Sequence, residues 1–233
     1  MKSFLLMLGM LILGSSLYAQ EKEYMYEIGG GLGTGWGYGD VNRSSALYSP
    51  SLAAELLFRY NLNLRWSVAV DFSTTGLDGD SKDFDNAFPG GTRWKFDRQY
   101  WQLGFRPEFS FWNYGWGSDY REKKRLAPFL TAGLGFGFST GSTYEGITED
   151  TKTTAALAIP LGLGVKWKMA PRWDLQLTAL WTKTFGDKVD GIADPYGVGT
   201  VGAVNTDWIG SIMMSVTFCF KERCLECKNQ NSF

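Results

Sequence analysis

From Trp66 the chain reads "WSVAVDFSTTGL", and this strict two-residue alternation limits its possible folds more than any other feature. Trp66, Val68, Val70 and Phe72 fall on one face, Ser67, Ala69, Asp71 and Ser73 on the other. Successive side chains of a strand point to opposite sides, so such a run is a strand with one greasy and one polar surface. The pattern returns in "QYWQLGFRPEFSFW", where Trp101, Leu103, Phe105, Phe109 and Phe111 oppose Gln102, Gly104, Arg106, Glu108 and Ser110. It returns again near the end, where Trp208, Ile212, Met214, Val216, Phe218 and Phe220 oppose Ser211, Ser215, Thr217 and Cys219.

This test predicts eight strands: Tyr24–Tyr38, Leu52–Asn61, Trp66–Leu77, Gln99–Trp112, Ala127–Ser139, Thr154–Trp167, Trp173–Phe185 and Asp207–Phe220. Each reaches the roughly 9–11 residues that a tilted strand needs to cross a bilayer. No apolar run after Ala19 reaches the ~20 residues of a helical span. The aromatic share of 16% and the 29 glycines fit a β protein, and a net charge of −1 fits neither a basic nucleic-acid binder nor a disordered tail. The expected fold is therefore all-β: an eight-stranded antiparallel transmembrane barrel of outer-membrane type, occupying residues 20–220.

The first residues, "MKSFLLMLGMLILGSSLYAQ", hold one lysine, a short apolar run and small residues leading to Ala19, which reads as a signal peptide over residues 1–19. An even strand number returns the C-terminus to the side of the N-terminus, expected to be periplasmic. The short turns "NLNLR" and "MAPR" would then face the periplasm, and the long polar stretches after Asp40, Asp78, Thr140 and Gly186 the exterior. One connection breaks this rule, about Asn113 to Leu126, which is longer and carries "REKKR".

Cost decides which face meets lipid. Arg or Lys at mid-bilayer on the lipid face costs ~2–4 kcal/mol, so Arg59, Arg106 and Lys166 should point inward. Glu55, Asp71, Glu108 and Gln176 share that parity, which predicts charge pairing inside the barrel. Trp173 and Trp181 share the outward face, ~26 Å apart along the strand at about 3.3 Å per residue. A tilt near 40° makes that roughly 20 Å of depth, close to an apolar band of ~25 Å, so the two look like opposite aromatic girdles.

Gly29, Gly31, Gly33, Gly35 and Gly37, with Gly133, Gly135 and Gly137, sit on the inward parity and make room for the arginines and for Trp112 on other strands. An eight-stranded barrel is only wide enough for side chains. The lumen should be filled, which disfavours a diffusion pore.

Little here supports catalysis. The chain has no histidine, which removes the commonest general base and metal ligand. "GGGLGTGWGYG" misses the dinucleotide spacing and no helix pattern follows it. The pairs Glu149/Asp150 and Asp83/Asp85 read as solvated loop charges. "DGDSKDFDN" lacks the distal Glu of a calcium loop, and Cys224 with Cys227 lacks the further soft ligands zinc needs. No cofactor, metal or enzymatic activity is expected.

Three cysteines remain, Cys219 inside the last strand and Cys224 and Cys227 in a polar tail, residues 221–233. In an oxidising compartment the tail pair is open to an intermolecular disulfide, a local Cys224–Cys227 loop, or free thiols. Together with Arg121, Lys123, Lys124, Arg125, Lys221 and Arg223, the tail gives the barrel a basic periplasmic face, either a solvated turn or a docking surface.

The segments "YEIGGGLG", "YGDVNRS", "AELLFRYNLNLRWSV", "FDNAFPGGTRWKFDRQYWQLGFRPEFSFW", "LAIPLGLGVKWKMAPRWDL", "TKTFGDKVDG" and "NTDWIGSIMMSVTF", followed by the C-x-x-C tail, resemble the PorG family of the Bacteroidetes type IX secretion system. The resemblance implies a non-enzymatic barrel that joins a periplasmic ring of PorK and PorN to the outer membrane. It also implies that Cys224 and Cys227 correspond to the family's tail cysteines, with a covalent link to the ring lipoprotein as the hypothesis. The alternative class is a surface adhesin or receptor acting through extracellular loops.

Overall fold

A computed structural model describes residues 23–38, 49–81, 94–117, 123–145, 148–185 and 207–223. Their strands are β1 (Tyr24–Tyr38), β2 (Ser51–Asn61), β3 (Trp66–Asp80), β4 (Trp94–Ser110), β5 (Leu126–Ala132), β6 (Leu134–Glu145), β7 (Thr148–Ala170), β8 (Trp173–Thr184) and β9 (Trp208–Glu222). All pair antiparallel, and β1 with β9 closes the ring.

Nine segments make eight staves. β5 and β6 pair the same neighbours, β4 and β7, in one unbroken register, and only Gly133 separates them. The Gly133 amide donates to the Pro160 carbonyl at 2.9 Å. Proline has no N–H to return that bond, so the ladder loses one rung without changing course.

The register fixes the cylinder. Stepping from partner to partner, Asn61 leads to Ser67, Glu108, Thr131, Gly162, Leu180, Ser211, Gly35 and then Ser51, so one circuit re-enters β2 ten residues away. Eight strands with that stagger tilt by about 40° and leave a bore that side chains fill.

The outside is an apolar belt. Leu56, Val70, Leu103, Leu134, Leu163 and Met214 are all exposed, which is tolerable only where lipid replaces water. Trp66, Trp112, Trp167 and Trp173 border the belt near the chain termini, Trp181 and Trp208 at the far end. Trp173 and Trp181 both lie on the outer surface.

Three expectations need correction. The polar stretch after Thr140 is not a long loop: β6 runs to Glu145 and β7 resumes at Thr148, so Asp150 sits in a strand and pairs with Lys152. β4 likewise begins at Trp94 rather than Gln99. Backbone pairing continued past the membrane, where both faces can be polar and alternation of hydrophobicity no longer marks a strand. With 23 residues, β7 rises about 55 Å at that tilt, well beyond a ~25 Å apolar band. Finally, Trp112 is not in the lumen. β4 ends at Ser110, and Trp112 lies exposed in the bend beyond it, with the Lys124 ammonium 4.6 Å from its ring centre. The signal-peptide segment, Asp83, Asp85, Arg121, Cys224 and Cys227 lie outside the described residues.

Candidate functional site

The lumen and the rim that carries both ends of the chain hold the polar chemistry. Inside, the strands contribute five buried bases, Arg59, Arg98, Arg106, Lys166 and Lys168, and five buried acids, Glu27, Glu55, Asp71, Glu108 and Asp174. They stack in layers along the bore.

Arg59 is the hub. Its Nε donates to Glu108 Oε2 at 2.8 Å, and its two terminal nitrogens reach the Glu27 carboxylate and the Gln176 side-chain oxygen. Lys166 donates to the same Glu108 oxygen at 2.7 Å, while Ser67 donates to it at 3.1 Å. Towards the far end, Arg106 Nε lies 3.0 Å from Asp71 and its Nη2 3.8 Å from Glu55, which also accepts from the Ser215 hydroxyl. Higher still, Arg98 donates to Ser139 Oγ at 2.9 Å and to the Lys152 carbonyl at 2.6 Å. An apolar cluster of Leu77, Phe96, Tyr100, Ala156 and Ile209 packs in the same part of the bore.

Nearer the termini, Lys168 lies 2.9 Å from Asp174 Oδ1 and donates to Cys219 Sγ at 3.1 Å. The Cys219 thiol donates to Asp174 at 3.3 Å. Glu27, Asp174 and Cys219 converge within 4.8 Å of one another, but the Lys168 ammonium supplies the positive charge there. Sequence reading placed Glu55, Arg59, Asp71, Arg106, Glu108 and Lys166 on one face; the structure brings all six into the lumen. It adds Glu27, Lys168 and Asp174, whose parity was equally readable but which sit close to the strand ends.

Glycines make this filling possible. A Cβ at Gly104 would lie 2.6 Å from an Asp71 carboxylate oxygen, and one at Gly137 would collide with the Tyr100 hydroxyl.

The described parts of the connection after β4, residues 111–117 and 123–125, fold across the mouth. Tyr114 donates its amide to the Leu64 carbonyl at 2.9 Å, Gly115 donates to Lys124 at 3.2 Å, and Lys124 donates to Asn113 at 2.7 Å. Burial pushes the Tyr114 phenol well above its ordinary range, keeping it neutral. A cavity of about 50 Å³ lies at this end of the bore, lined by Glu27, Tyr114, Lys123 and Lys166 among others.

The expected docking residues divide. Lys123 is buried and reaches Glu23 at 3.4 Å, so it belongs to the plug. Arg223 holds the β2–β3 turn, donating to the Leu62 carbonyl at 2.8 Å and to that of Asn61. Lys221 has left-handed backbone, φ 57°, one residue before β9 ends at Glu222. Lys124, Arg125 and Lys221 remain exposed.

A closed antiparallel cylinder with an apolar outer belt, aromatic borders and a filled, charge-paired bore defines a membrane-spanning β-barrel of the outer-membrane type. The solved structures it resembles share that fold. Neisserial surface protein A matches with a TM-score of 0.50 at 14% identity, over 84% of this chain and 97% of that one. Ail, the attachment invasion locus protein of Yersinia pestis, matches at 0.50 and 14%, over 85% and 99%. A major outer membrane protein from Thermus thermophilus matches at 0.51 and 12%, over 84% and 99%. No curated protein matches in sequence. Residues 2–229 match the family described as domain of unknown function DUF6089, and the chain belongs to that family.

Proposed function

We propose that this barrel is the non-enzymatic outer-membrane component of a type IX protein secretion system, anchoring a periplasmic ring of PorK and PorN type to the membrane. One observation carries the reading: the bore is filled by paired charges, and residues 113–117 and 123–125 fold over its termini-side mouth. A filled barrel acts through its rims, and the rim with both chain ends carries the short turns, which this reading faces toward the periplasm. The sequence resemblance to the PorG family supplies the machine.

Arg223 anchors the end of β9, so the test removes only the residues beyond it. Deleting residues 224–233 should leave the barrel folded, with heat-modifiable gel migration, but abolish secretion. Cys224→Ser and Cys227→Ser, compared on non-reducing gels of native membranes, report whether a covalent partner exists. Full secretion with the tail deleted would refute the docking role.

A second reading, a surface adhesin or receptor, is favoured by the β3–β4 and β6–β7 strands that extend past the apolar belt. Normal secretion with lost surface attachment after shortening the β6–β7 hairpin would support it.

A further inference from the structure

We propose that Arg65, Lys124, Arg125 and Lys221, spaced around the rim carrying both ends of the chain, form a basic band that attracts the phosphate groups of anionic phospholipids. The band rests on the periplasmic orientation of that rim proposed above, but not on the docking role.

Charge pairing inside the barrel differs from that on its rim. Buried bases in the lumen contact acids, as with Arg59, Arg106, Lys166 and Lys168. These four rim cations are all exposed, and among the described residues none has a carboxylate within ion-pair distance. Other cations of the same rim are committed: Lys123 to Glu23, Arg172 to Glu222 at 3.6 Å, and Arg223 to backbone carbonyls.

Their positions fit the headgroup layer. Three of the four lie over aromatic rings: Lys124 over the exposed Trp112 at 4.6 Å, Lys221 over Tyr26 at 5.4 Å, and Arg125 at 3.8 Å over Trp116, which lines the cavity at the mouth. Arg65 is next to the exposed Trp66, and Asn113 Oδ1 accepts from its Nε at 2.9 Å. Tryptophan and tyrosine mark the level where hydrocarbon gives way to headgroups. A cation held on such a ring keeps its charge while its free N–H groups face the lipid phosphates. The attraction acts within about one Debye length and adds up over neighbouring bases. The occupant is therefore a phosphodiester with net negative charge, such as phosphatidylglycerol, rather than a zwitterionic lipid.

The full mature chain, folded into phosphatidylethanolamine vesicles, tests this with spin-labelled phosphatidylglycerol, phosphatidylethanolamine or lipid A as minor components. Phosphatidylglycerol should associate about fivefold more strongly than phosphatidylethanolamine at low salt, with the preference shrinking as salt rises. The fourfold variant Arg65→Gln, Lys124→Gln, Arg125→Gln, Lys221→Gln should lose it, while Lys152→Gln on the far hairpin should keep it. Heat-modifiable migration verifies folding; should the fourfold variant not fold, Lys124→Gln and Lys221→Gln singly should each weaken the preference. Equal association in the wild type, or a preference surviving these substitutions, overturns the proposal. So does a stronger preference for lipid A that the same substitutions remove, because it would place this rim in the opposite leaflet.

Discussion

The lumen and the termini-side rim use the same residue types in opposite ways. Within the bore, Arg59 is 1% exposed and contacts two carboxylates and an amide oxygen. On the rim, Lys124 and Arg125 are exposed and contact rings instead of acids. A charge removed from water must be matched within the fold, because its desolvation is otherwise uncompensated. A charge left at the surface need not be, and becomes available to something outside.

Substitutions sharpen this contrast, beginning with the largest expected effect. Arg59→Met would leave Glu27 and Glu108 short of their main partner and should destabilise the folded barrel by about 3–5 kcal/mol, measured by urea titration of tryptophan fluorescence in lipid vesicles. A loss under about 1 kcal/mol would show that the lumen charges are not matched as described. Val70→Arg, on the exposed outer face between the inward-facing Ala69 and Asp71, should cost about 2–4 kcal/mol in the same titration. An unchanged midpoint would remove the lipid belt from that face.

Gly104→Val pushes a side chain against the Asp71 carboxylate and should cost about 1–3 kcal/mol through overpacking. In a double-mutant cycle, Asp71→Ser should cost less in the Gly104→Val background than in the wild type if the clash is the cause. Smallest of all, Lys124→Gln should alter stability by no more than about 0.5 kcal/mol. A large loss there would mean that the rim is built into the fold in the manner of the lumen.

Much of the barrel was legible because membrane strands carry a strong periodic signal. Trp66 to Phe72 set the inward parity of Ser67, Ala69 and Asp71, and the structure keeps it. β7 before Thr154 was missed because "TEDTKTT" is polar on both sides, and β4 before Gln99 because its alternation inverts there, with Phe96 buried and Lys95 and Asp97 exposed. Trp112 was misplaced by extending parity too far, past the point where Ser110 ends β4. Lys123 and Arg223 looked like free surface charges because nothing local shows that a connection folds back into the mouth of the bore.

The chain by itself determined which side of each strand faces lipid and which charges must be sheltered, since a period of two and the cost of a charge in hydrocarbon act residue by residue. Only closure of the ring decided who meets whom. Arg59 finds Glu108 from another strand and Gln176 from across the bore through a ten-residue stagger that no single strand contains. Partnership across a cylinder depends on height and azimuth together, and those exist only once β1 has paired with β9.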